Sequence, residues 1–292
     1  MSKPRLLAQH LTFPEAPRWH NDRLWFSDYF DHAVKTMTLD GRVETILELP
    51  DRPSGLGWLP DGRLLVVSMD RRQVLRLDGQ TLVVHADLSD LTQVACNDLV
   101  VDKDGRAYVT SVGFDLPAYM REHPAEEIFG EPGPPRGNIV CIDPDGVAHR
   151  VAHDLRLPNG AVITPDGGTL IVAETTGLRL SAYTIEPGGT LTERRVWAHL
   201  GMLAPDGICL NARGQIWVAN PLAPECVLMG EGGQVIDRVE VDQFCYACML
   251  GGPTRQTLFM LTAHNYDPEH ADQVRSGHIL ALEVAVPGVG FP

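Results

Sequence analysis

Glu15, Asn97, Asn159 and Asp206 are two carboxylates and two carboxamides that stand at matching places in a repeated sequence pattern. Oxygen donors of this kind hold hard divalent cations such as Ca²⁺, Mg²⁺ or Mn²⁺, and the set is also compatible with Zn²⁺ or Fe²⁺. Two negative charges balance the ion. Four side chains leave coordination positions for water or substrate oxygens, the open arrangement that a catalytic metal needs. The chemistry depends on bringing together residues up to 191 positions apart, from 15 to 206.

The elements able to do this recur along the chain. Six apolar hexapeptides, RLWFSD, RLLVVS, RAYVTS, TLIVAE, QIWVAN and TLFMLT, begin at residues 23, 63, 106, 169, 215 and 257. Their second residues are spaced by 40, 43, 63, 46 and 42. Five are preceded by turn sequences, HND, PDG, KDG, PDGG and ARG, in which Asp, Asn and Gly tolerate φ > 0. Short apolar segments precede the turns, among them GLGWL at Gly55, DLVVD at Asp98, GAVIT at Gly160 and GICLN at Gly207. A strand, turn, strand unit at this spacing predicts an all-β chain folded as a six-bladed propeller, a single domain over 1–292.

Innermost strands line the central channel of a propeller, so equivalent residues face one another around it. Ser54, Asn97, Asp206 and Cys248 lie 10 positions before the second residue of their hexapeptides, Glu15 lies 9 before and Asn159 lies 11 before, its extra residue explained by the doubled Gly167 and Gly168. A ring of six is expected, with its oxygen ligands on blades 1, 3, 4 and 5. Asn-Gly at Asn159 and Asp-Gly at Asp206 also read as ordinary turn dipeptides, but both precede the turn sequences by several residues. Glu15 is harder to read that way, because FPEAPRW sets a carboxylate between two prolines at the start of an apolar strand.

Composition narrows the function classes. A net charge of −14 and a pI near 5.1 disfavour nucleic acid and anionic membrane as partners. No stretch approaches the roughly twenty apolar residues of a membrane span, and the N-terminus lacks a signal-length apolar region, which makes cytoplasmic the expected location. Six cysteines are too irregular for a disulfide framework, and the single CxxC of Cys245 and Cys248 is weak support for zinc or redox chemistry. Ser54 lacks a nucleophile elbow, and Cys248 has no evident base. His264 reads as solvent or packing more readily than as catalyst. Trp19, Trp25, Trp58 and Trp217 recur at strand positions and read as packing between blades. The helical patch LPAYMREHPAEEIFG, inside the enlarged interval at about 112–136, reads as a loop or short helix over one mouth, with Phe114, Leu116, Tyr119, Met120 and Phe129 as an apolar lid or as packing on the propeller edge. The N-terminal RLLAQHL and C-terminal GHILALEV segments are expected to pair and close the last blade.

At FPEAPRW, CND, LPNG, APDG and CMLGGPTRQTLFMLTA the chain resembles the senescence marker protein/gluconolactonase group of six-bladed propeller hydrolases, regucalcin included, over essentially its whole length. The resemblance implies one divalent cation, Ca²⁺ foremost, on the residues matching Glu15, Asn159 and Asp206, with Asn97 at the same site touching metal or substrate. It also implies hydrolysis of a lactone or related ester, in which the cation polarises the carbonyl and activates water. Asp206 is the expected general base or proton shuttle, ahead of Asp98, which strand alternation could turn away from the channel. Members similar to this chain carry an Arg two residues before the Asn, where it binds sugar hydroxyls; Ala95 stands there. A less hydroxylated lactone is therefore expected as the small-molecule partner. The alternatives are a phosphotriesterase-type hydrolase and a propeller that binds calcium or a ligand without turnover. The sequence leaves the oligomeric state open.

Overall fold

A computed structural model describes residues 3–266 and 269–290. Each repeat folds into a four-stranded antiparallel sheet, and six such sheets make up the propeller. Blade 1 runs through Pro14–His20, Arg23–Asp28, Ala33–Met37 and Val43–Glu48, from the innermost strand outward. Blade 2 begins at Pro53–Trp58, blade 3 at Ala95–Val101, blade 4 at Pro158–Ile163, blade 5 at Ile208–Leu210 and blade 6 at Phe244–Gly251. The hexapeptides seen in the sequence are the second strands. They are buried almost without interruption because they are covered on both faces by neighbouring blades.

Closure matches the expectation. Arg5–Leu11 forms the outermost strand of blade 6, pairing antiparallel with Gly277–Glu283 through Arg5↔Ala281 and Leu6↔Leu280. Joining the two ends in one sheet leaves no unpaired edge where the ring would otherwise open.

Core residues lie between the blades. Trp19 of blade 1 stacks on Phe259 of blade 6 with ring centroids 5.6 Å apart, and Trp217 is buried in the same cluster. Trp25 and Trp58 are only partly buried, and His20 stacks on Trp58 at 4.0 Å across the blade 1–2 seam. All six cysteines are buried free thiols.

The enlarged interval falls between the second and third strands of blade 3. It contains helix α1, Leu116–Glu122, whose N-terminus is capped by Asp115 accepting from the Ala118 amide at 2.9 Å, with Pro117 in its first turn. Pro124 follows its end and a short 3₁₀ turn, Ala125–Ile128, comes next. No helix among the described residues is long and apolar enough to cross a membrane.

Candidate metal and substrate site

One irregularity repeated in every blade builds the site. Where the innermost strand begins, its pairing with the second strand shifts by a residue: between Pro53 and Leu56, Cys96 and Leu99, and Pro158 and Ala161, with a corresponding shift just after Glu15. Such a bulge re-aims a side chain, here toward the channel. In blade 5 the same place precedes the strand, with the Asp206 amide donating to Ala219 O at 3.1 Å. The glycines beside Asn159 and Asp206 are not turn residues. A Cβ on Gly160 would lie 2.8 Å from Asp206 O, and one on Gly207 would lie 2.7 Å from Ala247 Cα. Asn-Gly and Asp-Gly thus mark where one inner strand crosses close to the next.

The sixth ring position requires a correction. In blade 6, Cys245 pairs with Thr262, the shift follows it, and Cys248 pairs with Met260 inside the sheet. Tyr246, not Cys248, is equivalent to Glu15 and Asp206. The cause is turn length: Gly251 pairs with Thr257, leaving a five-residue connection, whereas Leu59 pairs with Arg63 across three residues in blade 2. A fixed count back from Leu258 therefore stops two residues short. Cys248 instead packs at the blade 5–6 seam, its sulfur 3.8 Å from that of Cys209.

Glu15, Asn97, Asn159 and Asp206 all line one open pocket of about 470 Å³. Glu15, Asn97 and Asp206 are buried and Asn159 is half-buried. Burial pushes the Glu15 carboxyl up to about 8, against the Ala16 amide that donates to its Oε2 at 2.7 Å, and the charge of Asp98 adds to the rise. Asp206 is driven well above the usual carboxylate range by burial first and by Glu15 second. Neither forms an ion pair among the described residues. Asp98 does: Arg18 contacts it at 3.0 Å, with both side chains largely buried, and also donates to Leu99 O. Asp98 is absent from the pocket lining, so its role is in the frame beneath the site.

The two amides complete a donor set suited to a hard cation. Among the described residues no group of three or more His, Cys, Asp or Glu could hold a metal, so any ion here relies on amide oxygen as well as the two carboxylates. Asn97 Nδ2 donates to Asn159 Oδ1 at 2.9 Å, while Tyr29 and Ser54 hydroxyls approach Asn97 Oδ1 at 3.3 and 3.2 Å. Two excess negative charges, amide oxygen and open space above fit a divalent cation of the Ca²⁺ class.

Above this base the walls differ. Phe13, Tyr29, Tyr246 and Tyr266 form an aromatic side, with Phe13 and Tyr246 centroids 4.6 Å apart. Ala95 lies on the other side with Val94, Val112, Phe114 and Leu116, which are apolar. Of the five side chains proposed for a lid, Phe114 and Leu116 line the pocket. Tyr119 stacks on His123, Met120 is exposed, and Phe129 is absent from the lining. Arg52 and Arg121 stand at the rim, Arg52 bound to Asp70 and to the Tyr266 hydroxyl at 2.5 Å. His264 is exposed and absent from the lining.

A further set of polar residues closes the second strands and went unnoticed in the hexapeptides, although each occupies the sixth position there. Asp28 accepts from the Thr12 and Phe13 amides at 3.0 and 2.9 Å and from Lys35 at 2.8 Å. Glu174 accepts from the Arg156 amide at 2.8 Å and pairs with Arg179 and Arg194. Burial raises its carboxyl, yet Arg179 and the Arg156 amide together hold it below the ordinary range. These carboxylates pin the connections that lead into Glu15 and Asn159.

The chain is similar to known proteins over much of its length. The chain is 25% identical over 283 residues to pentonolactonase XacC of Haloferax volcanii, covering 90% of this chain and 86% of that protein. It is 27% identical over 170 residues to diisopropyl-fluorophosphatase of Loligo vulgaris, covering 55% and 52%. It spans little more than half the length, 52–57%, of several curated relatives that it matches. The structure of a regucalcin from Agrobacterium tumefaciens, described as a calcium-binding protein, superposes with a TM-score of 0.78 over 100% of this chain and 99% of that one at 21% identity. Residues 13–264 match the SMP-30/Gluconolactonase/LRE-like region, and the chain belongs to that family.

Proposed function

We propose that the protein is a divalent-cation-dependent hydrolase that opens a lactone ring or cleaves a related ester, on a substrate less hydroxylated than an aldonolactone. The observation carrying this reading is the buried pair Glu15 and Asp206, which share one pocket with two amides and have no ion-paired partner among the described residues. Two buried carboxylates without a counter-charge are costly, and a cation removes the cost. Glu15, Asn159 and Asp206 would hold it, Ca²⁺ foremost. Bound there, the ion would polarise the substrate carbonyl and lower the pKa of water at the site.

The side chains divide the remaining work. Asp206, at the pocket base, takes the proton of the attacking water and returns it to the alkoxide released when the ring opens. Asn97 presents Nδ2 as a donor to a substrate oxygen. Ala95, Val94 and Phe114 offer no partner to sugar hydroxyls, and Arg52 is already committed to Asp70 and Tyr266. The segment around helix α1 acts as a lid through Phe114 and Leu116.

Phosphotriester hydrolysis is the second reading, favoured by the likeness to the Loligo fluorophosphatase. Acid release at constant pH with γ- and δ-lactones, aryl esters and paraoxon, metal removed and restored, tests both. Lactone turnover abolished by chelation and regained with calcium is expected. Turnover indifferent to chelation and to Asp206→Ala would sink the reading, and a cation-induced rise in melting temperature with no turnover at all would point to a binding protein.

A further inference from the structure

Tyr246 reaches the channel by the same device as the candidate cation ligands. The pairing of its strand shifts between Cys245 and Ala247, and the Gly207 amide donates to Tyr246 O at 2.8 Å, which fixes the tyrosine beside Asp206. What it brings there is a ring. Phe13 is the hub of the group: its centroid lies 4.6 Å from that of Tyr246, 5.4 Å from that of Tyr266 and 5.6 Å from that of Tyr29, with interplanar angles of 61°, 75° and 43°. All four residues line the pocket. Tilted and edge-to-face contacts are the favoured geometry of aromatic pairs, so this wall is already formed without a ligand.

The polar ends of the wall are taken. The Tyr29 hydroxyl lies 2.7 Å from Ser54 Oγ and 3.3 Å from Asn97 Oδ1, and the Tyr266 hydroxyl accepts from Arg52 Nη1 at 2.5 Å. The Tyr266 backbone bonds the hydroxyl of Tyr246. Each phenol is tied to the protein, so carbon surface is what the wall offers. The pocket, about 470 Å³, is also larger than a bare lactone ring fills and lies in the range of sites for drug-sized ligands.

We infer that the substrate is a lactone carrying an aromatic ring, seated against Phe13, Tyr246 and Tyr266 while its carbonyl reaches the candidate cation site at Glu15 and Asp206. The inference rests on the reading of the protein as a cation-dependent lactonase and names its substrate class. An aliphatic group of the same size gains burial alone; an aromatic one gains ring-to-ring contact as well. Tyr246 is then a specificity-determining residue.

The test compares β-phenyl-γ-butyrolactone with β-cyclohexyl-γ-butyrolactone by acid release at constant pH, with the calcium-loaded protein. The substituent is bonded to neither the carbonyl nor the leaving oxygen, so intrinsic reactivity is closely matched, and the cyclohexyl compound is the more hydrophobic. The phenyl compound is expected to show about fivefold the kcat/KM, chiefly through a lower KM. Tyr246→Leu keeps an apolar side chain without a ring and should bring the two values within about twofold of each other. Tyr246→Phe keeps the ring and should keep the preference. Each variant is read as a ratio, so a general loss of activity cancels. If the leucine variant does not fold, Tyr266→Leu, at a half-buried position, gives the same comparison. Equal or reversed preference in the parent overturns the inference alone, as does a preference undiminished in Tyr246→Leu. A parent that opens unsubstituted lactones but neither of these compounds does the same. Absence of turnover with any lactone, or turnover indifferent to chelation, overturns the functional reading and this inference with it.

Discussion

Asp206 and Tyr246 stand at the same backbone position in adjacent blades, yet one brings a buried negative charge to the channel and the other an aromatic wall. The backbone supplies six equivalent places. Charge occupies only two of them, at Glu15 and Asp206, with Asn97 and Asn159 as neutral donors and Ser54 and Tyr246 as hydroxyl-bearing side chains. What separates the two sectors is what lies behind each residue. Asp206 is backed by Gly207, which lets Ala247 approach, and by the Pro205 carbonyl held by Thr175. Tyr246 packs on Phe13 and belongs with Tyr29 and Tyr266. A propeller can therefore set chemistry and shape side by side around its channel, with the aromatic Tyr246 of blade 6 standing between Asp206 of blade 5 and Glu15 of blade 1.

The largest expected contrast between the two positions is catalytic. Asp206→Ala should lower kcat for a lactone by about 10²–10⁴-fold, the range lost with a general base, while Tyr246→Phe should stay within a few-fold. A tyrosine variant as damaging as the aspartate variant, measured by acid release, would erase the distinction.

Glu15→Gln tests the charge of the candidate cation site directly. The Glu15 carboxyl titrates near 8 in the fold against about 4.3 in an unfolded chain, so the folded state holds that proton more tightly. Stability from this group is complete below about pH 4.3 and declines as pH rises to about 8. In chelator, Glu15→Gln should melt above the parent at pH 8, by about 2 °C for each kcal/mol removed, and the gap should narrow toward pH 5. Saturating calcium should reverse the order, because the amide is the poorer ligand. A gap that narrows toward pH 5 but does not respond to calcium would mean that burial alone, without a missing cation, explains Glu15.

Ala95→Arg probes the substrate wall. It restores a charged donor beside Asn97, and a charge-assisted hydrogen bond is worth roughly 1.5–3 kcal/mol. Relative kcat/KM should move by about tenfold toward a polyhydroxylated lactone over an alkyl one. Unchanged preference would place selectivity in the Phe114 and Leu116 side of the pocket.

Much of this was legible in sequence because propeller geometry turns spacing into position. The hexapeptides and Asp-Gly turns mark the blades, and all five other ring residues followed, two of them with an offset of one: two residues connect His20 to Arg23 in blade 1, and four connect Thr164 to Thr169 in blade 4. The offset of blade 6 was hidden because GPTRQ, with Gly-Pro in place of the Asp-Gly of other blades, signals a turn without marking its extra length. Arg18 and Asp98, 80 residues apart, follow no period; Tyr29 and Thr175 do keep the period, each directly after its hexapeptide, but the residue type there changes from blade to blade and their contacts cannot be read from it. Those contacts depend on how neighbouring blades dock, which local pattern does not encode.

Cys248 supplies the smallest and most discriminating measurement. As a member of the ring it would face the pocket beside Glu15. As a sheet residue paired with Met260 and packed on Cys209, it contributes only buried volume. Cys248→Ala should cost about 1 kcal/mol of stability, roughly the loss of one buried methylene-sized group, a fall of about 2 °C in melting temperature. Calcium midpoint and kcat should both stay within twofold of the parent. A shift in the calcium midpoint larger than that would return Cys248 to the ring and displace Tyr246, because a thiol that only fills the blade 5–6 seam has no route to the cation's affinity except through global stability.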